Sequence, residues 1–324
     1  MNVLPLPTIS VVIPNKPGLE EVRVLESLKA VDYPRDRYEV IVAEGFHPSK
    51  QRNQAVAKSR GEIVVFFDDD VTPDPQVFKR FVATFEEFPD AAVVGGPSVI
   101  PPTDNFWQQC FARVMRSRVT MGRSIARYES NGRRRATNES ELILCNVAMR
   151  REAFVKAKGF DERLWPNEEN EMFERLQLFG YRLIYDPEAA VFRSHRPTLK
   201  HFVRQLFGYG RGRMGQTIIR PSLTCMIRMV PAAFVLYLAS LLVQHEWWYL
   251  LPLAAYALLI GSASVYHAIH NRTLAGGLMS LWLLPLAHIA YGVGLLSALF
   301  MKMGRHEEPP GASVNLRVVK TFDS

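Results

Sequence analysis

Cysteine is scarce in this chain. Cys110, Cys145 and Cys225 are too few and too scattered for a disulfide framework or a thiolate zinc site. That usage fits a reducing compartment. An export signal is also missing. Met1–Pro7 carries no basic region, and the apolar run Ile9–Ile13 is too short for a signal core. The first part of the chain is therefore expected to stay in the cytoplasm. Strong charge bias is absent as well: Lys plus Arg is 39, Asp plus Glu is 32, and the net charge of +7 excludes little. Basic residues interleave with aromatics in one stretch only, so no nucleic acid is expected as a partner. With 48% hydrophobic and 22% charged residues, neither a disordered tail nor a collagen-like fibre is plausible.

What is present is split in two. Residues 1–222 read as a water-soluble α/β chain, and residues 223–303 are mostly apolar. In the first part, Ile9–Ile13, Tyr38–Ala43, Ile63–Phe67 and Ala91–Val94 read as buried strands. Helical stripes lie between them: Leu19–Lys29, a helix capped by Ser49 and running to about Arg60, and one begun by Pro73-Asp74-Pro75. Strands separated by helices of this length imply right-handed crossovers and a mostly parallel sheet.

The stretch 105–127 differs. Trp107, Phe111, Val114, Met115 and Val119 follow helical spacing, and Arg113, Arg116, Arg118, Arg123 and Arg127 fill the remainder. It reads either as a docked helix with a basic solvated face or as an interfacial helix on anionic lipid. Further on, Leu223–Val243, Trp247–Tyr266 and Leu278–Phe300 each approach the ~20 residues needed to cross a bilayer. Three spans are expected, followed by a polar tail at 304–324. Trp247, Trp248, Tyr249 and Tyr266 sit at span ends, as interfacial anchors do. Lys200, Arg204, Arg211, Arg213 and Arg220 precede the first span and place that side in the cytoplasm. The implied location is the inner membrane, multi-pass. Arg228 and Pro231 interrupt the first stretch, which leaves a two-span hairpin as the alternative.

Two acidic clusters carry the chemistry. Asp68-Asp69-Asp70 follows Val64-Val65-Phe66-Phe67, where a buried strand emerges. Ligands of parallel sheets sit beyond such carboxyl ends. Paired carboxylates there can hold a hard divalent cation shared with substrate phosphates. A solvated acidic loop is the plainer reading. Asn167-Glu168-Glu169-Asn170-Glu171 precedes Met172, Leu176 and Phe179, a helical pattern ending at Gly180. These acids are either first-turn residues favoured by the helix dipole or a general base near the cation. Gly210-Arg-Gly212-Arg-Met-Gly215 satisfies G-x-G-x-x-G, but it follows a helical stretch, Leu199–Phe207, so a dinucleotide site is rejected. His195 reads equally as a ligand or as structural.

Taken in order, these segments resemble glycosyltransferase family 2 over roughly residues 8–215. The resemblance runs through Ile9–Pro14, Glu39-Val-Ile-Val-Ala-Glu44, Arg52-Asn53-Gln-Ala55, Gly61-Glu-Ile63, Asp68–Asp70 and Val93-Val94-Gly95-Gly96-Pro97. It continues through Asn146-Val-Ala-Met-Arg150-Arg151-Glu152, Gly159-Phe160-Asp161-Glu162, Glu168-Glu169 and Gly180-Tyr-Arg-Leu-Ile-Tyr-Asp186-Pro187. With the apolar tail, the chain is most similar to the membrane-attached bacterial branch of succinoglycan and exopolysaccharide glucosyltransferases.

The resemblance implies an α/β, GT-A-like nucleotide-sugar-binding domain over 1–222, followed by C-terminal transmembrane helices. It implies inverting transfer from a nucleoside-diphosphate sugar, UDP-linked, to a lipid-linked glycan, glycolipid or polysaccharide acceptor, with Mg2+ or Mn2+. Pro14 and Asn15 would line the nucleotide pocket, Glu44 would contact the base, and Lys50 and Arg52 would reach the base or diphosphate. Asp68 and Asp69 would face the donor, and Asp70, with Asp68, would bind the cation. Glu169 would be the catalytic base, beside Glu168. Gln205, Arg211 and Arg213 would close over diphosphate and acceptor. Glu stands at 44 and 169 where the family has Asp, and Gly208-Tyr209 stands where it has Arg-Trp. Three short spans are too few for an export channel, so a separate export partner is expected. The alternatives are a metal-dependent nucleotidyl or phosphoryl transferase, and a non-catalytic membrane-docked nucleotide-sugar-binding protein.

Overall fold

Burial on both faces of short β-branched runs governs the fold. In a computed structural model, residues 5–18, 22–221, 225–244, 246–300 and 312–323 are described. The chain runs β1 (Ile9–Asn15), α1 (Arg23–Leu28), β2 (Tyr38–Glu44), α2 (Pro48–Lys58), β3 (Ile63–Phe67), β4 (Thr72–Pro73), α3 (Val77–Glu87), β5 (Ala91–Gly95) and β6 (Ser98–Val99). Then come α4 (Phe106–Met115), α5 (Arg118–Met121), β7 (Arg135–Thr137), β8 (Asn146–Arg150), α6 (Arg151–Lys156), α7 (Glu168–Leu178), β9 (Arg182–Tyr185) and β10 (Val191–Phe192). Last are α8 (Leu199–Ile219), α9 (Cys225–Arg228), α10 (Val230–Ser240), α11 (Leu251–His270), α12 (Leu274–Ala298) and β11 (Asn315–Lys320). Part of the expected helix Leu19–Lys29 lies outside the described residues.

Two compact units result. The first joins residues 1–101, 126–194 and 304–324; the second joins 102–125 and 195–303. A boundary is expected at 222; by their contacts the described residues divide this part of the chain after Ser194, and residues 312–323 group with the first unit.

In the first unit an eight-stranded sheet has the order β11-β2-β1-β3-β8-β5-β9-β7. Strands β1, β2, β3, β5 and β9 run one way, and β7, β8 and β11 run the other. Ile9, Val11, Ile13, Val40, Val42, Val65 and Phe67 face one apolar cluster with Val24 and Leu28 of α1 and Phe78 and Phe81 of α3. Val12, Ile41, Val64 and Phe66 face the other, with Ala55 and Val56 of α2 and Met172, Phe173 and Leu176 of α7. A sheet covered on both faces reads as near-continuous apolar strands, and these do. Gly96 is required because its backbone packs against Ala189 O, where a Cβ would clash.

Helix α2 starts two residues earlier than expected. His47, not Ser49, is its N-cap, because Pro48 takes a first helical position that needs no N–H. Ser49 instead donates to Leu164 O at 2.7 Å. The polar tail is not a free tail among its described residues. β11 pairs antiparallel with β2, Asn315 opposite Glu44 and Leu316 opposite Ala43, and so covers that sheet edge.

The second unit is helical. The stretch 105–127 is not one interfacial helix: α4 ends at Met115, α5 is short, and Gly122 takes a positive φ of 53° before a 3-10 turn. Phe111, Val114 and Met115 are buried, with Phe111 stacked on Phe202 at 4.3 Å between ring centroids. Among the described residues two of the three expected spans are helices of sufficient length. Trp247–His270 and Leu274–Ala298 are long and apolar enough to cross a membrane, by length and composition alone. Among its described residues the first stretch holds α10 and a short α9, and Pro231 restarts the helix beyond Arg228. Eleven residues of helix rise about 16 Å, well short of a bilayer core. The glycine motif at 210–215 is a packing device: Gly210 lies against Tyr291 O, and Gly294 of α12 against Phe207 O.

Candidate active site

Three parallel strands end side by side. Asn15 closes β1 opposite Glu44 of β2 in register, and β3 on the other side of β1 delivers Asp68, Asp69 and Asp70. Gln51 of α2 ties the first two ends, donating to Asn15 O at 2.8 Å and to Ala43 O. Asn15 is buried, while Pro14, Glu44 and Lys50 are half-buried at the rim.

Helix α2 also fixes the loop that leads to α7. Asn53 donates to Phe160 O and accepts from Phe160 N, each at 2.9 Å. Asn167 then takes a left-handed backbone, φ 86°, a conformation Asn tolerates, and turns the chain into α7. Glu168 and Glu169 thus occupy its first turn. They are not the solvated acids of an ordinary helix start, since Glu168 is 3% exposed.

One guanidinium joins the two acidic clusters. Arg52 Nη2 lies 2.9 Å from Asp68 Oδ1, and its Nη1 lies 2.8 Å from Glu168 Oε1. The resemblance implied a contact to base or diphosphate for Arg52; here it bridges carboxylates inside the protein. Two further arginines complete the site, and sequence reading missed both roles. Arg193 Nη1 is 2.9 Å from Asp68 Oδ2, and its Nε is 2.7 Å from Asp70 Oδ1. The small sheet β4-β10-β6 brings it there: Phe192 pairs with Thr72, so the residue after β10 meets the loop before β4. Arg127, read on either a solvated or a lipid-facing helical surface, is buried in the first unit. It donates to Asn170 Oδ1, Glu139 O and Ser140 O, with Glu169 Oε1 at 3.8 Å.

Burial, then the adjacent Glu169 charge, pushes the Glu168 carboxyl well above the usual range. Burial, then the charges of Asp70 and Asp68, raises Asp69. Glu169 is less buried than Glu168, with 12% of its side chain exposed against 5%, and it is less tightly paired. Of the two it is better placed to meet a substrate.

A divalent cation fits the donor set in part. Asp68 and Asp70 are hard oxygen donors, and Asp70 Oδ1 is charge-paired with Arg193 yet accepts no aligned hydrogen bond. Among the described residues no group of three or more His, Cys, Asp or Glu is arranged to hold a metal. An ion there would take most of its ligands from substrate and water, as Mg2+ commonly does.

The remaining expected residues belong to the second unit. Gln205, Arg211 and Arg213 are on α8 of the second unit. Gln205 donates to Tyr209 Oη at 2.7 Å, and Arg213 to Gln216 Oε1 at 2.8 Å. His195 also falls in the second unit, where its carbonyl accepts from Gln108.

The sequence profile described as glycosyl transferase family group 2 matches residues 63–296. The chain belongs to that family. It is 29% identical over 150 residues to the succinoglycan biosynthesis protein ExoA of Rhizobium meliloti, covering 46% of this chain and 45% of the relative. It is 25% identical over 246 residues to a Bacillus subtilis protein named "Probable glycosyltransferase YdaM", covering 65% and 56%. The chain thus spans about half the length of the curated relatives it matches. Among solved structures, the mannosyltransferase PcManGT of Pyrobaculum calidifontis, in complex with GDP-Man and Mn2+, superposes with a TM-score of 0.55. That match is 16% identical and covers 90% of this chain and 87% of the other. The shared fold is GT-A-like, built on a largely parallel sheet.

Proposed function

We propose that this chain is an inverting, cation-dependent glycosyltransferase. Its donor is a nucleoside-diphosphate sugar, UDP-linked, and its acceptor a lipid-linked or polysaccharide glycan at the cytoplasmic membrane face. One observation carries the reading: Arg52 spans Asp68 and Glu168 with a single guanidinium, so donor-side and base-side acids share one cleft. Family membership supports sugar transfer. A structural neighbour bound to GDP-Man and Mn2+ supports a nucleotide sugar and a divalent ion, and a relative named for succinoglycan biosynthesis supports a glycan acceptor.

In this reading Asp70, with Asp68, holds Mg2+ or Mn2+, which when bound neutralises charge on the leaving diphosphate. Asn15 and Glu44, at neighbouring strand ends, line the nucleoside side, with Pro14, Lys50 and Asp69 at the rim. Glu169 removes the proton from an acceptor hydroxyl. That oxygen bonds to the anomeric carbon from the face opposite the diphosphate, and the diphosphate departs with the electron pair of the broken bond. Arg52 and Arg127 keep the α7 carboxylates from repelling one another out of place. Glu168, buried and held by Arg52, acts as a positioning group.

The second unit attaches the enzyme to lipid. α11 shows Leu258, Leu259, Val265 and Ile269 on its surface, and Trp247 and Trp248 precede it, an apolar face typical of a membrane site. The test is a screen of labelled UDP- and GDP-sugars with membranes from expressing cells. A glycolipid or glycan one sugar heavier supports the reading. A nucleotidylated product, or donor bound and unchanged, overturns it.

A further inference from the structure

We propose that the second unit sits in a single membrane leaflet and that α11 and α12 do not cross the bilayer. The inference rests on the membrane attachment proposed above and concerns how that attachment is made.

By length alone α12 could span. Its neighbours within the second unit say otherwise. At its first turn, Gly276 lies against the Arg113 guanidinium: a Cβ there would be 3.0 Å from Arg113 Cζ. Trp282 meets Trp107 edge-on at 6.2 Å, and His288 Nε2 lies 3.1 Å from Val119 O. Near its end, Gly294 packs on Phe207 and Tyr291 on Gly210. From Gly276 to Gly294 the helix rises about 27 Å. Along that whole length it is lined by two segments that carry arginine: α4–α5 with Arg113, Arg116 and Arg118, and α8 with Arg204, Arg211 and Arg213.

Chain continuity turns this lining into a constraint. Residues 102–125 leave the first unit at Pro101 and return to it at Ala126. β11 lies in the first unit's sheet, so the chain that departs at 194 also comes back. Zero or two crossings satisfy that return. Two crossings would put the α11–α12 turn on the far side. The 102–125 excursion would then have to reach through the hydrocarbon to keep Arg113 on Gly276, carrying Arg116 and Arg118 with it. Arginine in a bilayer core is strongly disfavoured.

A single leaflet removes the conflict. One stripe of α12, Gly276, Ser280, Leu283, Ala287, Ala290 and Leu295, is buried on protein. The other face shows Leu274, Leu278 and Leu281, all exposed and apolar. Acyl chains of one leaflet fit that face, and anionic headgroups fit the exposed Arg118, Arg204, Arg211 and Arg272.

The test compares sidedness in the full chain. Asn271→Cys lies in the exposed α11–α12 turn, and Lys58→Cys marks the exposed end of α2 in the first unit. Vesicles of both orientations from expressing cells are treated with a membrane-impermeant maleimide, with the parent chain as baseline. Flotation of each variant with phosphatidylglycerol-containing liposomes is measured alongside. The proposal expects flotation and labelling of Asn271→Cys from the same face as Lys58→Cys. Flotation with labelling from opposite faces overturns it and leaves membrane attachment standing. Failure to float overturns the attachment itself, and the leaflet assignment with it.

Discussion

Arginine does opposite work in the two units. In the first, Arg52 and Arg127 are buried, 5% and 8% exposed, and each is held by carboxylates or carbonyls of segments distant in sequence. In the second, Arg118, Arg204 and Arg211 stand exposed on helices that pack largely through glycine and apolar side chains. The difference teaches where electrostatics matters. A buried guanidinium between acids sets the geometry of a reaction site, because removing it strands charge in low dielectric. An exposed one contributes little to folding and is free to meet a charged surface.

Substitutions should separate the two roles. The largest effect is expected for Asp70→Ala and Glu169→Gln. Sugar transfer should fall by ~10²–10⁴, the usual contribution of a positioned acid or base, while liposome flotation stays unchanged. Wild-type turnover in both variants would break the comparison at its catalytic end.

Arg52→Ala should come next. It leaves Asp68 and Glu168 buried without their shared partner, and a loss of about 3–5 kcal/mol is expected in denaturant unfolding of the full chain. An equally large loss from Arg204→Ala on α8 would erase the distinction between buried and exposed arginine.

Gly210→Leu sharpens the other side. The side chain would meet Tyr291 O, and a cost of about 1–3 kcal/mol is expected for the second unit. Nucleotide binding, followed by calorimetry with UDP, should be retained, since every residue assigned to the nucleoside is in the first unit.

The remaining effect concerns pH. The folded protein holds a proton on Glu168 at pH values where the unfolded chain has released it. Stability should therefore fall as pH rises from the ordinary glutamate range through the raised value, by at most about 1.4 kcal/mol per pH unit. Glu168→Gln should flatten that slope while costing far less activity than Glu169→Gln. An unchanged slope in urea midpoints would show that the proton is held elsewhere.

Much of the first unit was legible because its signals are local. Val64–Phe67 followed by three acids marks a strand emerging into a site, and the pattern after Glu169 marks a helix. The order of the acidic segments identified the family before any geometry was known. What escaped was long-range. Arg193 reaches the aspartates only because β10 pairs with β4, a contact of two-residue strands that leaves no periodic trace. Arg127 looked like one of five similar arginines, and only Gly122 hinted that the helix breaks before it. β11 is a half-exposed edge strand of mixed polarity, held by its partner and not by its own pattern. Hydropathy favoured three spans because it weighs composition, while Arg228 and Pro231 already pointed to the two-span alternative.

The most direct test of the shared cleft is a crystal structure of the full chain with a UDP-sugar and Mn2+. The account predicts the diphosphate and ion against Asp68 and Asp70, with the sugar's anomeric carbon turned toward Glu169 across a space that admits one hydroxyl. A nucleotide bound away from the aspartates, or a sugar pointing away from α7, would contradict it.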